Sequence, residues 1–363
     1  MNARHLNRLV VLAAAGAAVL LAGCERPPMK SEQKGYRGTG MVQVDNPRIL
    51  AKAAAARPAV PESPPPAAQA GPLAKDVYQN VKVLGDLPVT EFLRTMTANT
   101  LWVAPASEGC NYCHDGQNFA ADTKYTKIVA RRMFEMTRSV NSQWGSHIGQ
   151  TGVTCYTCHR GQPIPQYVWF KPVEPKNNWI GSGMGDDAGQ NRAVPAIAGA
   201  SLPYDPFSPY LQANPLPIRV QGTTPLPTGN RMSIKQAEFT YSLMMHMSQG
   251  LGVNCTFCHN SASFQSWDGP TQRVTAWHGL KMAATLNAEY MTPLTSVFPK
   301  HRLGATGDVA KLNCQTCHQG VNKPLGGLQM AKDFPALLPP APPASAASAA
   351  MAALALPDGA IKR

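Results

Sequence analysis

Beyond residue 24 the chain lacks any apolar stretch approaching the roughly 20 residues that a membrane-spanning helix needs. It also lacks a dense run of lysine or arginine, so its formal charge of +12 does not have the clustered form that indicates a nucleic-acid partner. Runs of alternating apolar and polar residues, which predict half-buried strands, are missing as well. The chain is therefore expected to be mainly α-helical, with no internal transmembrane helix and no nucleic-acid partner.

An apolar run does lie at the amino terminus, within residues 1–23. It follows Arg4 and Arg8, extends from Leu9 to Leu21 and is too short for an ordinary spanning helix, so it is interpreted as an export signal. The small residues directly before Cys24 are typical of a bacterial lipobox, in which the cysteine becomes the first residue of the mature chain and carries a lipid. An ordinary signal peptide and a retained membrane anchor are the alternatives. All three place the globular part outside the cytoplasm.

Cysteine is used in a repeated pattern. The sequence has nine cysteines, and eight of them fall in four copies of C-x-x-C-H. The copies are Cys110, Cys113 and His114; Cys155, Cys158 and His159; Cys255, Cys258 and His259; and Cys314, Cys317 and His318. Two thiols three residues apart project from one side of a helical turn, so they can add to two vinyl groups of one porphyrin, and the next residue, histidine, then lies under the iron. The pattern predicts four covalently bound haem c groups.

Zinc sites, redox dithiols and structural disulfides fit the motif less well than haem does. A zinc site would need a second C-x-x-C or an H-x-x-x-H partner at short spacing, and a redox dithiol would be expected within a βαβ pattern; the sequence contains neither. Structural disulfides do not account for a histidine next to the second cysteine in all four copies. Haem propionates would also offset much of the formal positive charge.

The motifs divide the chain into two similar halves with long irregular segments. The expected fold is a mainly α multihaem cytochrome c built from four helix–loop–C-x-x-C-H units in two dihaem halves. In chain order, the predicted segments after the signal at 1–23 are an extended, lipid-anchored arm over 24–75, a first dihaem half over 76–172, a connector over 173–230, a second dihaem half over 231–330 and a Pro/Ala-rich disordered tail over 331–363.

Each motif is preceded by a predicted helix. Thr90 is the expected N-cap of the first helix, and Pro293 is expected to end the fourth. Ser233 and Gln236 fit a capping box for the third helix, and Gly250 fits its C-terminal stop. The four helices are predicted over about 90–101, 123–144, 233–249 and 271–292.

The sixth ligand of each iron decides between a carrier and a catalyst, because an open distal position can bind and activate small molecules. Methionines on the preceding helices are candidates for the first three haems, although a helical methionine more often packs in a core. These candidates are Met96; Met133 or Met136; and Met244, Met245 or Met247. For the fourth haem the pattern leaves Met282, Met291, His278, His301, His147 and His246 open.

Several segments are more specific than the motifs alone. They are Gly35–Gly38, Val77–Gly85, Glu91–Thr97, Ala130–Arg138 and Gly152–His159, together with the Cys24 lipobox. Over nearly all of residues 24–330 the chain resembles the tetrahaem cytochrome subunit of purple-bacterial photosynthetic reaction centres.

The resemblance implies a ligand set for each iron. Three haems would be His/Met ligated and one His/His ligated, with a distal histidine that precedes the second motif but serves the fourth haem. The implied axial pairs are His114 with Met96, His159 with Met133, His259 with Met244, and His318 with His147.

The resemblance also implies a function, which is electron transfer and not enzymatic catalysis. Such a subunit sits on the periplasmic face of the photosynthetic membrane, on the L and M subunits of a complex that also contains H. It takes electrons from a soluble cytochrome c or a high-potential iron–sulfur protein and re-reduces the photo-oxidised bacteriochlorophyll pair, which lies nearest the third haem. The alternatives are a lipid-anchored multihaem carrier for another partner, or a subunit of another periplasmic oxidoreductase such as a reductase.

Overall fold

Helices and long irregular segments make up most of the chain. The computed structural model describes residues 29–33, 42–55, 57, 59–173, 190, 193–220 and 234–338. The predicted export signal, Cys24 and the expected capping residue Ser233 lie outside the described residues. Within the described residues, no helix is long and apolar enough to cross a membrane.

The described strands are β1 (Lys30–Gln33) and β2 (Val42–Asp45). The described α-helices are α1 (Pro47–Ala55), α2 (Ala74–Val77), α3 (Val89–Val103), α4 (Tyr125–Gln143), α5 (Gly145–Ile148), α6 (Cys155–His159), α7 (Ile234–Leu251), α8 (Gln272–Leu286) and α9 (Cys314–His318). Short 3-10 turns connect many of them.

Residues 1–59 together with 254–270 form one compact unit. Its described part contains the antiparallel pair β1 and β2, in which Lys30 lies opposite Asp45, and helix α1. It also contains the 3-10 turn Cys255–Phe257 of the third motif. This unit thus includes two short strands that the sequence pattern did not predict.

Helix α1 lies within the segment 24–75, for which the sequence predicts an extended arm. Asn46 explains why the helix begins where it does, since its Oδ1 accepts the backbone N–H of Arg48 at 3.0 Å. The residues that follow are rich in alanine, the strongest helix former. A local cap and a short run of high helix propensity therefore override the extended character of the surrounding prolines.

The other unit comprises residues 60–253 and 271–363 and holds two hydrophobic cores. The first core collects side chains from α3, α4 and α6 and from the last described segment of the chain. Trp102 and Phe334 pack edge to face in it, with ring centroids 4.6 Å apart. Phe334 and Leu337 are fully buried.

The prediction of a disordered tail from residue 331 is wrong for its first part. The chain forms a 3-10 turn at Pro335–Leu337, and its apolar side chains complete the first core. Proline and alanine dominate the composition here, but a few large apolar residues are enough to anchor the segment by burial. Residues 339–363 lie outside the described residues.

The second core explains how the connector predicted over 173–230 is held. Its described stretch has little regular structure, as expected, but Phe207, Tyr210 and Leu211 pack with side chains of α4, α7 and α8. The Tyr210 hydroxyl also hydrogen-bonds the Thr240 hydroxyl on α7 at 2.8 Å. The connector is therefore part of the packed protein.

The four helices predicted to precede the motifs are present as α3, α4, α7 and α8, but two of the predicted end signals are wrong. Pro88, rather than Thr90, is the N-cap of α3, and the Thr90 hydroxyl instead donates to the Ala68 carbonyl at 2.7 Å. Helix α7 does not stop at Gly250 and continues to Leu251.

Gly250 has a packing role instead. A Cβ at this position would lie 3.3 Å from the backbone nitrogen of Gln315 on α9, and the Gly250 carbonyl accepts the Gly320 N–H at 2.8 Å. The glycine that the turn requires is Gly252, whose φ of +64° lies in the left-handed region. The absence of a side chain at Gly250 lets α7 approach the fourth motif closely.

Helix α8 changes its geometry before Pro293. A π-helical turn, Asn287–Met291, follows it, and Pro293 then occupies an early position of the 3-10 turn Thr292–Ser296. Proline is tolerated there because the first turn of a helix needs no intrahelical donor. The predicted helical stretch of 271–292 is thus present, but it is divided into α and π geometry.

The π-helical turn is stabilised by the fully buried side chain of Asn287. Its amide donates to the carbonyls of Leu211 and Leu312, at 2.8 Å in each case, and its Oδ1 accepts the Leu312 N–H at 2.9 Å. One side chain therefore joins α8, the connector and the segment leading to the fourth motif.

Replacing Asn287 by leucine, which has a similar size, is expected to destabilise the protein. The buried Leu211 carbonyl and Leu312 N–H would lose their partner, at about 1–3 kcal/mol each, whereas the Leu312 carbonyl keeps its bond from Trp169 Nε1 at 3.0 Å. Glu289→Ala, on the exposed side of the same turn, is the matched control and should change the free energy of unfolding by about 0.5 kcal/mol or less. Chemical denaturation measures both. Equal effects of the two substitutions would contradict this role of Asn287.

Candidate haem-binding sites

Each C-x-x-C-H motif forms one helical turn. In the first and third motifs, the backbone N–H of the histidine donates to the carbonyl of the first cysteine, from His114 to Cys110 and from His259 to Cys255, at 3.0 Å in both. The second and fourth motifs form the short helices α6 and α9. The turn that the cysteine spacing requires is thus present in all four copies.

Helices α6 and α9 begin in the same way. Thr157 accepts the backbone N–H of Thr154 at 3.0 Å, and Thr316 accepts that of Asn313 at 2.9 Å, so each helix has a reciprocal capping box. The threonine between the two cysteines is therefore a structural residue in both motifs. It fixes the turn independently of any cofactor.

The cysteine thiols lie in different surroundings. Burial raises the pKa of Cys155 and Cys314 to about 12 and that of Cys113 to about 11. The sulfur atoms of Cys158 and Cys317 lie in direct contact as a pair, with their Cα atoms 4.5 Å apart. A sulfur joined in a disulfide cannot also form a thioether to a vinyl group, so the two fates exclude one another at these positions.

All four motif histidines use the same ring nitrogen for the same purpose. Nδ1 of each is hydrogen-bonded to a backbone carbonyl a few residues further along the chain. The pairs are His114 with Phe119 at 3.0 Å, His159 with Gln162 at 2.8 Å, His259 with Phe264 at 2.9 Å and His318 with Val321 at 3.0 Å. The first and third motifs share one spacing, and the second and fourth share another.

This bond determines which nitrogen is available to a metal. A carbonyl only accepts, so Nδ1 must carry the proton and Nε2 keeps its lone pair, as iron ligation requires. Burial lowers the pKa of His114 and His159, and it lowers the pKa of His318 to about 4, so these rings are neutral near pH 7. The histidines therefore fit a haem iron in both tautomer and charge.

His147, on the short helix α5, lies beside the fourth motif. Its ring centroid is 5.9 Å from that of His318, and its Nδ1 is hydrogen-bonded to the Thr275 carbonyl at 2.9 Å. Imidazole nitrogens bind metals at about 2 Å, so two rings on opposite sides of one metal ion have centroids about 6 Å apart. Burial lowers the pKa of His147 as well, which keeps this ring neutral.

The position of His147 depends on a glycine of α8. A Cβ at Gly279 would lie 2.5 Å from Cε1 and 2.7 Å from Nδ1 of the His147 ring, closer than these atoms can approach. Close by, Nε1 of Trp144 is a buried donor without a hydrogen-bond partner among the described residues. An orphaned donor at this place fits a polar group of a cofactor.

The predicted methionine ligands lie on the expected helices. Met96 is on α3, Met133 on α4 and Met244 on α7, and each is half-buried. Met96 packs against the first core and Met244 against the second. Of the two candidates on α4, Met136 packs against the second core, whereas Met133 belongs to neither core cluster.

The alternative ligands for the fourth haem have other surroundings. His246 is buried with its Nδ1 on the Ala196 carbonyl at 2.9 Å, and its ring packs edge to face on Phe207. Met282 packs against the second core, and His301 is exposed. His147 is preferred because its ring centroid lies 5.9 Å from that of His318.

Sequence reasoning missed the carbonyls that orient the motif histidines, although the chain carries a signal for them. A phenylalanine stands five residues after both His114 and His259. After the second and fourth motifs, a residue in the left-handed region is followed by glycine, at Arg160–Gly161 and Gln319–Gly320. The alternation of two loop types along the chain was visible in the sequence.

The described side chains do not build a metal site by themselves. Across the described ranges, no three His, Cys, Asp or Glu side chains gather into a group that could hold a metal ion. A pair such as His147 and His318 therefore fits an iron whose other four ligands come from a porphyrin. Oriented histidines in four C-x-x-C-H turns define a c-type cytochrome.

The chain belongs to a specific family of such cytochromes. The family model described as the photosynthetic reaction centre cytochrome C subunit matches residues 25–338. The chain is thus an electron-transfer subunit, not an enzyme, and it associates with the reaction centre and hence with the photosynthetic membrane.

Individual relatives agree with the family match. The photosynthetic reaction center cytochrome c subunit of Rubrivivax gelatinosus is 57% identical over 325 residues, which are 89% of this chain and 87% of that protein. The subunit of Thermochromatium tepidum is 51% identical over 323 residues, 88% and 78% of the two chains. That of Roseobacter denitrificans is 40% identical over 341 residues, 89% of each.

Gly279→Ala is expected to displace His147 and to change the absorption and reduction potential of one haem, because the new methyl group would occupy the space of the ring. Gly145→Ala is the control, since a Cβ there meets nothing within 4 Å. Redox titration of the haem α-band compares the variants. An unchanged titration curve for Gly279→Ala would show that the ring does not depend on this glycine.

Proposed function

We propose that this subunit is a tetrahaem electron carrier that re-reduces the photo-oxidised bacteriochlorophyll pair. The observation that carries the proposal is the repeated bond from histidine Nδ1 to a backbone carbonyl, which prepares Nε2 for iron in all four motifs. When bound, each haem iron accepts and releases one electron. The two loop types alternate in order, which supports an arrangement of four units in two dihaem halves.

The proposed axial pairs are those implied by the family resemblance. The spacing of His147 and His318 supports the His/His pair, and their neutral, hydrogen-bonded rings fit it. The other pairs are His114 with Met96, His159 with Met133, and His259 with Met244. A methionine raises the potential of an iron relative to a second histidine, so three haems would be high-potential centres compared with the fourth.

All eight motif cysteines are proposed to form thioethers, including Cys158 and Cys317. A disulfide between those two would leave Cys155 and Cys314, the first cysteines of the same motifs, each without its partner at the porphyrin edge. With thioethers, the close approach of their Cα atoms, 4.5 Å, attaches the second and fourth haems at adjacent points of the chain. Such adjacency favours electron exchange between them.

The protein contributes to electron transfer by orienting and burying the histidine ligands and by keeping the charge around each iron constant. Fixed imidazoles need not rotate or exchange a proton when the iron changes its oxidation state.

The proposal also covers partners and location: the subunit would dock on the L and M subunits, in a complex with H, at the periplasmic face. A lipid on Cys24 would anchor the amino terminus, and a soluble cytochrome c or high-potential iron–sulfur protein would supply the electrons. A lipid-anchored multihaem carrier for another periplasmic oxidoreductase is the alternative.

His147→Met is expected to raise the potential of the fourth haem, since methionine replaces an imidazole, and to leave the other three attached and unchanged. Redox titration of the α-band, with mass spectrometry to count the haems, measures this. His301→Met, at an exposed alternative position, should have no effect. An unchanged fourth haem in His147→Met would instead assign the ligand to Met282, Met291 or another local side chain.

A short light flash on membranes that contain this subunit tests the function as a whole. Rapid oxidation of c-type haem, matched in time to re-reduction of the bacteriochlorophyll pair and lost when the gene is deleted, is the expected result. If haems that were reduced beforehand show no flash-induced oxidation, the subunit serves another partner. Ready binding of carbon monoxide or cyanide to native protein would favour an enzyme with an open haem.

A further inference from the structure

The loop that follows the first motif closes around a buried ammonium group. Lys127, on α4, is 7% exposed, and its Nζ donates to the carbonyls of Phe119, Ala120 and Ala121 at 2.7, 2.9 and 2.9 Å. The Asp122 carboxylate lies 3.4 Å away. Three convergent carbonyls and one carboxylate hold the cation in a fixed place.

The first of these carbonyls is also the one that orients the motif histidine. Phe119 accepts from His114 Nδ1 at 3.0 Å and from Lys127 Nζ at 2.7 Å. A carbonyl oxygen has two lone pairs, so it can accept both bonds. The ammonium draws electron density from this oxygen, which makes it a weaker acceptor for the imidazole N–H.

The strength of that acceptor controls how much electron density reaches the iron. A strong acceptor at Nδ1–H makes an imidazole more basic and stabilises oxidised iron, whereas a weakened acceptor has the opposite effect. A cation on the shared carbonyl therefore favours the reduced state of the haem that His114 ligates.

The third motif offers a natural comparison. His259 Nδ1 is bonded to the Phe264 carbonyl at 2.9 Å, with the same five-residue spacing as in the first motif. Counted from the histidine, the position of Lys127 is occupied there by the neutral Gln272. The two motifs thus share the orienting carbonyl, but the lysine of the first has no counterpart at the same sequence position after the third.

We propose that Lys127 is a positioning residue that raises the reduction potential of the first haem by sharing the Phe119 carbonyl with His114. The proposal rests on the proposed function in one respect, the role of His114 as an axial ligand. It concerns a side chain that acts through the loop carbonyl and not as a ligand of the iron.

The neighbouring charges provide a control for a purely electrostatic effect. Arg131 lies one turn further along α4 and donates to Asp122 and to the Asn80 carbonyl, at 2.9 Å in both cases. It carries the same charge in the same cluster as Lys127, but it does not bond the Phe119 carbonyl. Removing it changes the local charge by the same amount and leaves the shared acceptor intact.

The test compares Lys127→Gln, Lys127→Arg and Arg131→Gln by redox titration of the first haem. Lys127→Gln is expected to lower the equilibrium constant for its reduction about tenfold, or about 59 mV for one electron. Lys127→Arg should restore most of the loss, and Arg131→Gln should change it less than about threefold on the same scale. Equal shifts in the two glutamine variants, or no shift in Lys127→Gln, would overturn the proposal.

A second measurement needs no variant and covers the case in which Lys127→Gln disrupts the loop. In the wild-type holoprotein, nuclear magnetic resonance of the ring Nδ1–H should show a weaker hydrogen bond for His114 than for His259. Equal resonances would overturn the proposal. Absence of haem on Cys110 and Cys113 in the wild-type protein, detected by mass spectrometry, would instead refute the proposed function, so the two failures are distinguishable.

Discussion

The hydrogen bond from histidine Nδ1 to a backbone carbonyl is the interaction on which the arrangement of the motifs depends. An imidazole has two nitrogens, and only a ring whose proton is held on one of them presents a lone pair on the other. In this chain the partner is always the main chain, which cannot titrate. The bond therefore keeps its polarity at any pH at which the protein is folded, and the neutral ring carries its lone pair on Nε2.

Two kinds of loop supply that carbonyl, and each brings different possibilities for control. After the second and fourth motifs the turn is short and built from a left-handed residue and a glycine. After the first and third motifs the loop is longer and ends at a phenylalanine carbonyl. After the first motif, Lys127 of the following helix reaches that carbonyl. The longer loop of this motif is thus a place where a neighbouring side chain can act on the histidine through its acceptor.

Local structure that depends on residues close together in the chain could be predicted from the sequence. The four motif turns and the helices before them follow from cysteine spacing and apolar periodicity. The position of His147 beside His318 could not, since 171 residues separate them along the chain; only family resemblance indicated it. The role of Gly279 could not be predicted either, because the need for a glycine within this helix becomes evident only when the position of the opposing His147 ring is known. The helix ends predicted at Thr90 and Gly250 were wrong for the same reason: both residues have tertiary partners that compete with local capping.

The segment around Phe334 carries a consequence for how the molecule is made. Trp102 finds its edge-to-face partner only after more than two hundred further residues have been synthesised, and pairings that distant in sequence form slowly. Until then the first core, which includes Cys155, has an open side. The segment around Phe334 thus closes the first core only after all four motifs have been synthesised.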